Sequence, residues 1–134
     1  MVTISPGVAE KVSDDILSSN EEILGISIMD ISGNVLAAKS KESFKQAFRA
    51  TGEGDKYGGT LAVAALAVAN EVKDVVGEAQ AIITIYKNCK MMLLPIPSSQ
   101  ILVGFVLQRS VNAEGYNIAN TIERLLADAV KSQQ

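Results

Sequence analysis

Apolar residues recur along this chain in two rhythms, and the switches between them mark out eight elements. Val8, Val12 and Ile16 stand four residues apart, with Ala9 and Leu17 beside them, which predicts a helix from about Pro6 to Ser19. Ser5 is placed to cap that helix, Pro6 suits its first position, and Asn20 ends it. The pattern then shortens. Leu24-Gly25-Ile26-Ser27-Ile28-Met29 and Val35-Leu36-Ala37-Ala38 flank the turn residues Ser32-Gly33-Asn34, which predicts a hairpin. Lys39 to Tyr57 is polar and weakly patterned, with Phe44, Ala47 and Phe48 as its anchors. Gly52, Gly54, Gly58 and Gly59 lead into a long helix expected from about Thr60, its cap, to Val76, with Gly77 as the stop.

Three strand-like runs follow: Ala79 to Tyr86, Lys90 to Ile96 and Ile101 to Leu107. The links between them are too short for crossover helices, so an antiparallel meander is expected. Ile82-Ile83-Thr84-Ile85 and Met91-Met92-Leu93-Leu94 are nearly continuous apolar runs, which predicts that both faces of these strands are covered. Pro95 belongs at a strand terminus or an edge. Ile118, Ile122, Leu125, Leu126, Ala129 and Val130 form a helical stripe, so a last helix is expected from about Ala113 to Val130, capped by Asn112. The order is αββαβββα, an α+β chain. It reads as a single domain over residues 1–134 with an ordered core of about 6–130.

The middle helix is unlike the other two. Leu61 to Ala69 is apolar without a break, so the helix is apolar all round. One face carries Leu61, Ala65, Val68, Val72 and Val76; the other carries Ala62, Val63, Leu66 and Asn70. A helix on a sheet buries one face, so the second needs another surface, most simply a second copy of the chain. The expected seam is Ala62, Val63, Leu66 and Asn70, and Leu66→Arg is expected to break it.

Composition narrows the chemistry. The 134 residues carry 12 basic and 15 acidic side chains, a net charge of −3, which is a poor footprint for nucleic acid. The chain has no histidine, which excludes Ser-His-Asp and Cys-His catalysis and imidazole metal sites. Cys89 is the single cysteine, so no internal disulfide and no cysteine-built zinc site can form. Tryptophan is absent and aromatics total 4%, too few for a base-stacking surface. No apolar run approaches the roughly 20 residues of a membrane span, and the first residues do not read as a signal peptide. These features predict a cytoplasmic, non-enzymatic domain with no cofactor and no metal.

Each remaining motif has an ordinary reading. Asp30-x-x-Gly33 matches a Mg²⁺-proximal nucleotide signature in letters, but no G-x-x-x-x-G-K-[ST] accompanies it, so it reads as a hairpin turn. Gly52, Gly54, Gly58, Gly59 and Thr60 form a glycine-rich approach to a helix start, where backbone amides can hold an anion; Glu53 and Asp55 oppose phosphate there. Lys90 beside Cys89 would lower a thiol pKa, with no second cysteine to complete a redox cycle. Arg49 lies in the segment from which an arginine finger could be drawn; Arg124 and Asp128 read as a surface pair.

The element order, the hairpin Gly25-Ile26-Ser27-Ile28-Met29-Asp30-Ile31-Ser32-Gly33-Asn34-Val35-Leu36-Ala37, the alanine-rich helix and Met91-Met92-Leu93-Leu94-Pro95-Ile96 together resemble the Roadblock / dynein light chain family. Profilin and longin folds share much of the same plan. The resemblance covers about Pro6 to Val130. It implies a five-stranded antiparallel sheet with the middle helix on one face and the terminal helices on the other. It also implies a homodimer, or a dimer with a paralogue, whose third strands, here Ile82, Ile83, Thr84, Ile85 and Tyr86, join two sheets. Such proteins act as scaffolds or regulators, among others for small Ras-like GTPases. A different class of function remains open: a small-ligand sensor with a pocket between the sheet and the segment 39–57, lined by Phe44, Phe48 and the glycine loop.

Overall fold

A computed structural model describes residues 4–42, 44, 54–113 and 118–132. Helix α1 spans Pro6–Ser19, as the sequence predicts. Ser5 caps it, its Oγ accepting the Val8 N–H at 3.2 Å. The other end is closed by side chains: the Asn20 amide donates to the Ile16 carbonyl at 2.8 Å, and Lys41 Nζ donates to the carbonyls of Asn20 and Glu21. Ser5→Ala is expected to cost about 1 kcal/mol of stability, read as a lower urea midpoint with an unchanged slope.

Strands β1 (Ile23–Asp30) and β2 (Val35–Ser40) form the expected hairpin. Asp30 organises its turn. One carboxylate oxygen accepts the N–H groups of Ser32 and Asn34, and the other accepts the Asn34 side-chain amide at 3.0 Å. The Asn34 side chain first, then the backbone amides, hold the Asp30 carboxyl below its ordinary pKa. Asp30 is thus a turn residue, with Gly33 at a positive φ of 89°.

The middle helix α2 runs Gly54–Ala69, followed by a 3₁₀ turn at Asn70–Val72 and a last short turn, α3, at Lys73–Val76. Gly77, at φ 87°, ends it as expected. The start differs from the sequence reading. Gly54, Gly58, Gly59 and Thr60 lie inside α2, so Thr60 is not its cap. Glycine costs a helix roughly 1 kcal/mol per residue, but extending an existing helix is far easier than nucleating one, and the run after Thr60 is a strong nucleus.

Strands β3 (Ile82–Ile85), β4 (Cys89–Ile96) and β5 (Ile101–Gln108) form the antiparallel meander. The sheet order is β2-β1-β5-β4-β3, all antiparallel. β3 is shorter than the run from Ala79 suggests. The Ala79 N–H is taken by the Asn70 side-chain oxygen at 2.9 Å, which holds that residue off the ladder. Pro95 is the penultimate residue of β4, beyond Lys90–Leu93 where β3 pairs, so its missing N–H meets no neighbour on that side. The last helix, α4, spans Ala119–Ser132. It starts later than expected: the Ile118 carbonyl accepts the Ile122 N–H, and Asn112 is not its cap. The apolar period itself begins at Ile118, and nothing periodic precedes it.

The sheet is covered on both faces. Ile26, Ile28, Met92, Leu94, Ile96, Val103, Phe105 and Leu107 meet Val8, Val12 and Ile16 of α1 and Ile122, Leu126 and Ala129 of α4 in the main core. The alternate positions Met29, Leu93 and Leu102 meet Ala62, Val63 and Leu66 of α2 in a smaller one. This is the α+β sandwich the resemblance implies. α1 also packs along β2, where Lys39 faces Asp14 at 3.9 Å. No helix among the described residues is long and apolar enough to cross a membrane.

Candidate interaction surface

The sheet takes part of the middle-helix face expected at the seam. Ala62, Val63 and Leu66 are half-buried against Met29, Leu93, Leu102 and Ile82 of their own sheet. Asn70 is half-buried too, with its side chain committed to Ala79. These four residues of the expected seam therefore also hold the helix to its own chain. The opposite side is bare from Val68 onward. Val68 is 73% exposed, Val72 55%, Val75 87% and Val76 73%, and every residue from Glu71 to Val76 is exposed. A signal for this orientation was present in the sequence. Glu71 and Asp74 must face water, and a residue three or four positions from them shares their side. Val68 and Val75 meet that condition with Glu71.

The neighbouring sheet edge is bare as well. β3 was expected to be covered on both faces, and only its first half is. Ile82 and Ile83 are half-buried, one on each face of the sheet, whereas Thr84 is exposed, Ile85 is 61% exposed and Tyr86 47%. Lying outermost in the sheet, β3 lacks the strand that would cover it. From Ala79 to Tyr86 there is no charge and no proline, the usual guards of an open edge.

Among the described residues the other candidates do not come together. Gly52, Phe48 and Arg49 lie outside the described residues, while Gly54, Gly58, Gly59 and Thr60 are helical and do not form a loop before a helix start. Phe44 lies over β1, its ring 3.6 Å from where a Cβ on Gly25 would stand. The described residues instead carry a shallow cleft of about 200 Å³ between α1 and α4, lined by Asp15, Ile16, Ser19, Asn20, Ile118, Thr121, Arg124 and Leu125. Cys89 is half-buried, and burial pushes its thiol pKa up, the reverse of what Lys90 beside it suggested. No group of three or more metal-ligating side chains occurs among the described residues.

No protein-family model matches this chain, and no curated protein matches it in sequence. Solved structures do match. The gliding protein MglB of Thermus thermophilus superposes with a TM-score of 0.70 at 15% identity, over 98% of this chain and 96% of that one. A Roadblock/LC7 domain from Streptomyces avermitilis superposes with a TM-score of 0.62 at 10% identity, over 92% of each chain. MglB of Myxococcus xanthus gives 0.59 at 8% identity, over 95% and 91%. At such identities the likeness establishes the fold.

Proposed function

We propose that this chain, which has the Roadblock/LC7 fold, is a non-enzymatic scaffold or regulatory module that works as a homodimer. The observation that carries the reading is the bare valine face of the middle helix lying beside an unguarded edge strand. Large contiguous apolar surface on a small protein marks a place of contact, and here a helix and a strand both ask for cover. A second copy supplies both at once: a helix for the helix and a strand for the strand. The dimer is then a rigid composite surface that binds another protein. The resemblance directs that partner toward a small Ras-like GTPase, and any nucleotide chemistry belongs to the partner. The lone, high-pKa cysteine suits the reducing cytoplasm.

The test is the solution mass of the purified chain by light scattering across a dilution series. The expected value is twice 14.2 kDa. A mass of 14.2 kDa at micromolar concentration overturns the homodimer. If that monomer then gains mass only with a paralogous chain, the seam is heterotypic.

A further inference from the structure

We infer that the cleft between α1 and α4 is a binding site for a free apolar α-amino acid, held by its own two charges between Asp15 and Arg124. The cleft belongs to one chain and lies on the sheet face opposite the middle helix, so it is independent of self-association.

The cleft forms where the last turn of α1 passes the first turns of α4. Ile16, fully buried, closes its bottom, and half-buried Ile118 and Leu125 complete an apolar floor. An exposed charge stands on each wall: the Asp15 carboxylate on α1 and the Arg124 guanidinium on α4. Each wall also brings a hydroxyl, Ser19 from α1 and Thr121 from α4. The volume of about 200 Å³ is below the roughly 300 Å³ at which sites for drug-sized ligands begin, so the occupant is small.

The two charges have no partner of their own. Sequence spacing offers Asp128 to Arg124, four residues on. Among the described residues no ion pair joins them, and none joins Arg124 to Asp15. On a helix, a cation four residues before an anion is the weaker order, which accounts for the first. Asp15 and Arg124 line one small cleft and still stay beyond ion-pair distance, one on each helix. The adjacent acid, Asp14, behaves differently and faces Lys39 at 3.9 Å. The cleft is thus a gap with an anion on one side, a cation on the other and apolar surface beneath.

An α-amino acid answers each of these features. Its ammonium and carboxylate sit on one carbon, so it meets both walls at once, whereas a simple acid or amine meets one. The carboxylate suits the planar fork of Arg124, which donates two parallel hydrogen bonds. The Thr121 hydroxyl donates from the same wall, and the start of α4 favours negative charge there. The ammonium donates to Asp15, with Ser19 Oγ as a further acceptor. An apolar side chain then covers Ile118 and Leu125, while a charged one would lie unpaired on that floor. Bridging α1 and α4, the ligand stabilises their packing by mass action, so the domain registers its concentration.

The test is an amide NMR titration of the purified chain with L-leucine at millimolar concentrations. Saturable shifts are expected at Asp15–Asn20 and Thr121–Leu125. N-acetyl-leucine lacks the ammonium, leucinamide lacks the carboxylate and glycine lacks the side chain; each is expected to bind at least about tenfold more weakly. Asp15→Asn and Arg124→Gln are each expected to weaken leucine binding by a similar factor, with circular dichroism and solution mass unchanged. Glu123→Gln, outside the cleft on the same helix, is expected to leave it unaltered. Absence of shifts with leucine overturns the site. Equal binding of N-acetyl-leucine assigns the cleft to the carboxyl end of a peptide, equal binding of leucinamide to an amino end, and either overturns the free amino acid. Shifts that survive both cleft substitutions place leucine elsewhere and overturn the site too. The dimer is decided separately, by solution mass.

Discussion

The double change Val68→Glu, Val75→Glu is expected to leave the chain folded and to bring its solution mass down to 14.2 kDa. These valines stand seven residues apart, Val68 in α2 and Val75 in α3, and are among the most exposed apolar residues described. In a single chain their side chains already face water, so charge costs the fold little. In a two-fold contact the new carboxylates are buried against their own copies, and an unpaired buried charge costs several kcal/mol. Leu66→Arg makes the contrast. Leu66 packs on Met29, Leu93 and Leu102, so its replacement is expected to lower the stability of the fold itself by about 2 kcal/mol or more. Light scattering and urea unfolding, run on both variants, separate the two effects. A double variant that keeps twice the monomer mass places the contact elsewhere.

Phe105→Ala is expected to cost about 3–5 kcal/mol, the largest loss from any single truncation here. Phe105 sits in β5, the central strand, between Ile26 of β1 and Met92 of β4, and is 2% exposed. It fills the main core between the sheet and helices α1 and α4, where each missing atom leaves a void that close-packed neighbours only partly close. Against a total stability of about 5–15 kcal/mol for a domain, that is a large share. The melting temperature is expected to fall by roughly 10–20 °C. A shift of a few degrees would mean that the core beneath β5 collapses around the gap.

Where a single local rule acted alone, the sequence sufficed. Ser5 and Pro6 placed the start of α1 because a cap and a fixed φ are properties of those residues themselves. The turn at Ser32-Gly33-Asn34 and the short links between the last strands placed all five strands and their antiparallel sense. Residues obeying two rules at once misled. Gly54, Gly58 and Gly59 carry loop propensity but adjoin a run that propagates helix through them. Ala79 belongs to a strand-like run, yet the Asn70 side chain, nine positions earlier, claims its N–H. The middle helix has apolar residues on every side, so periodicity alone could not orient it. That orientation depends on Met29, Leu93 and Leu102, which are distant in sequence, and the charges of Glu71 and Asp74 were the local clue. β3 read as fully covered because composition reports what a strand is suited to, not what its own chain supplies.

The two edges of the sheet differ, and the difference sets a limit on number. At β2 the outermost strand carries Lys39 and has α1 packed along it; at β3 there is no charge, and its second half is exposed. Strand addition at a molecule with two open edges has no natural end and grows into a ribbon. With one open edge it stops after a single event, because the joined sheet presents β2 at both of its ends. Closed, self-complementary contact of this kind yields a finite particle instead of a filament. In the proposed dimer the asymmetry of the edges acts as a chain terminator, so pairing through β3 does not lead to a polymer.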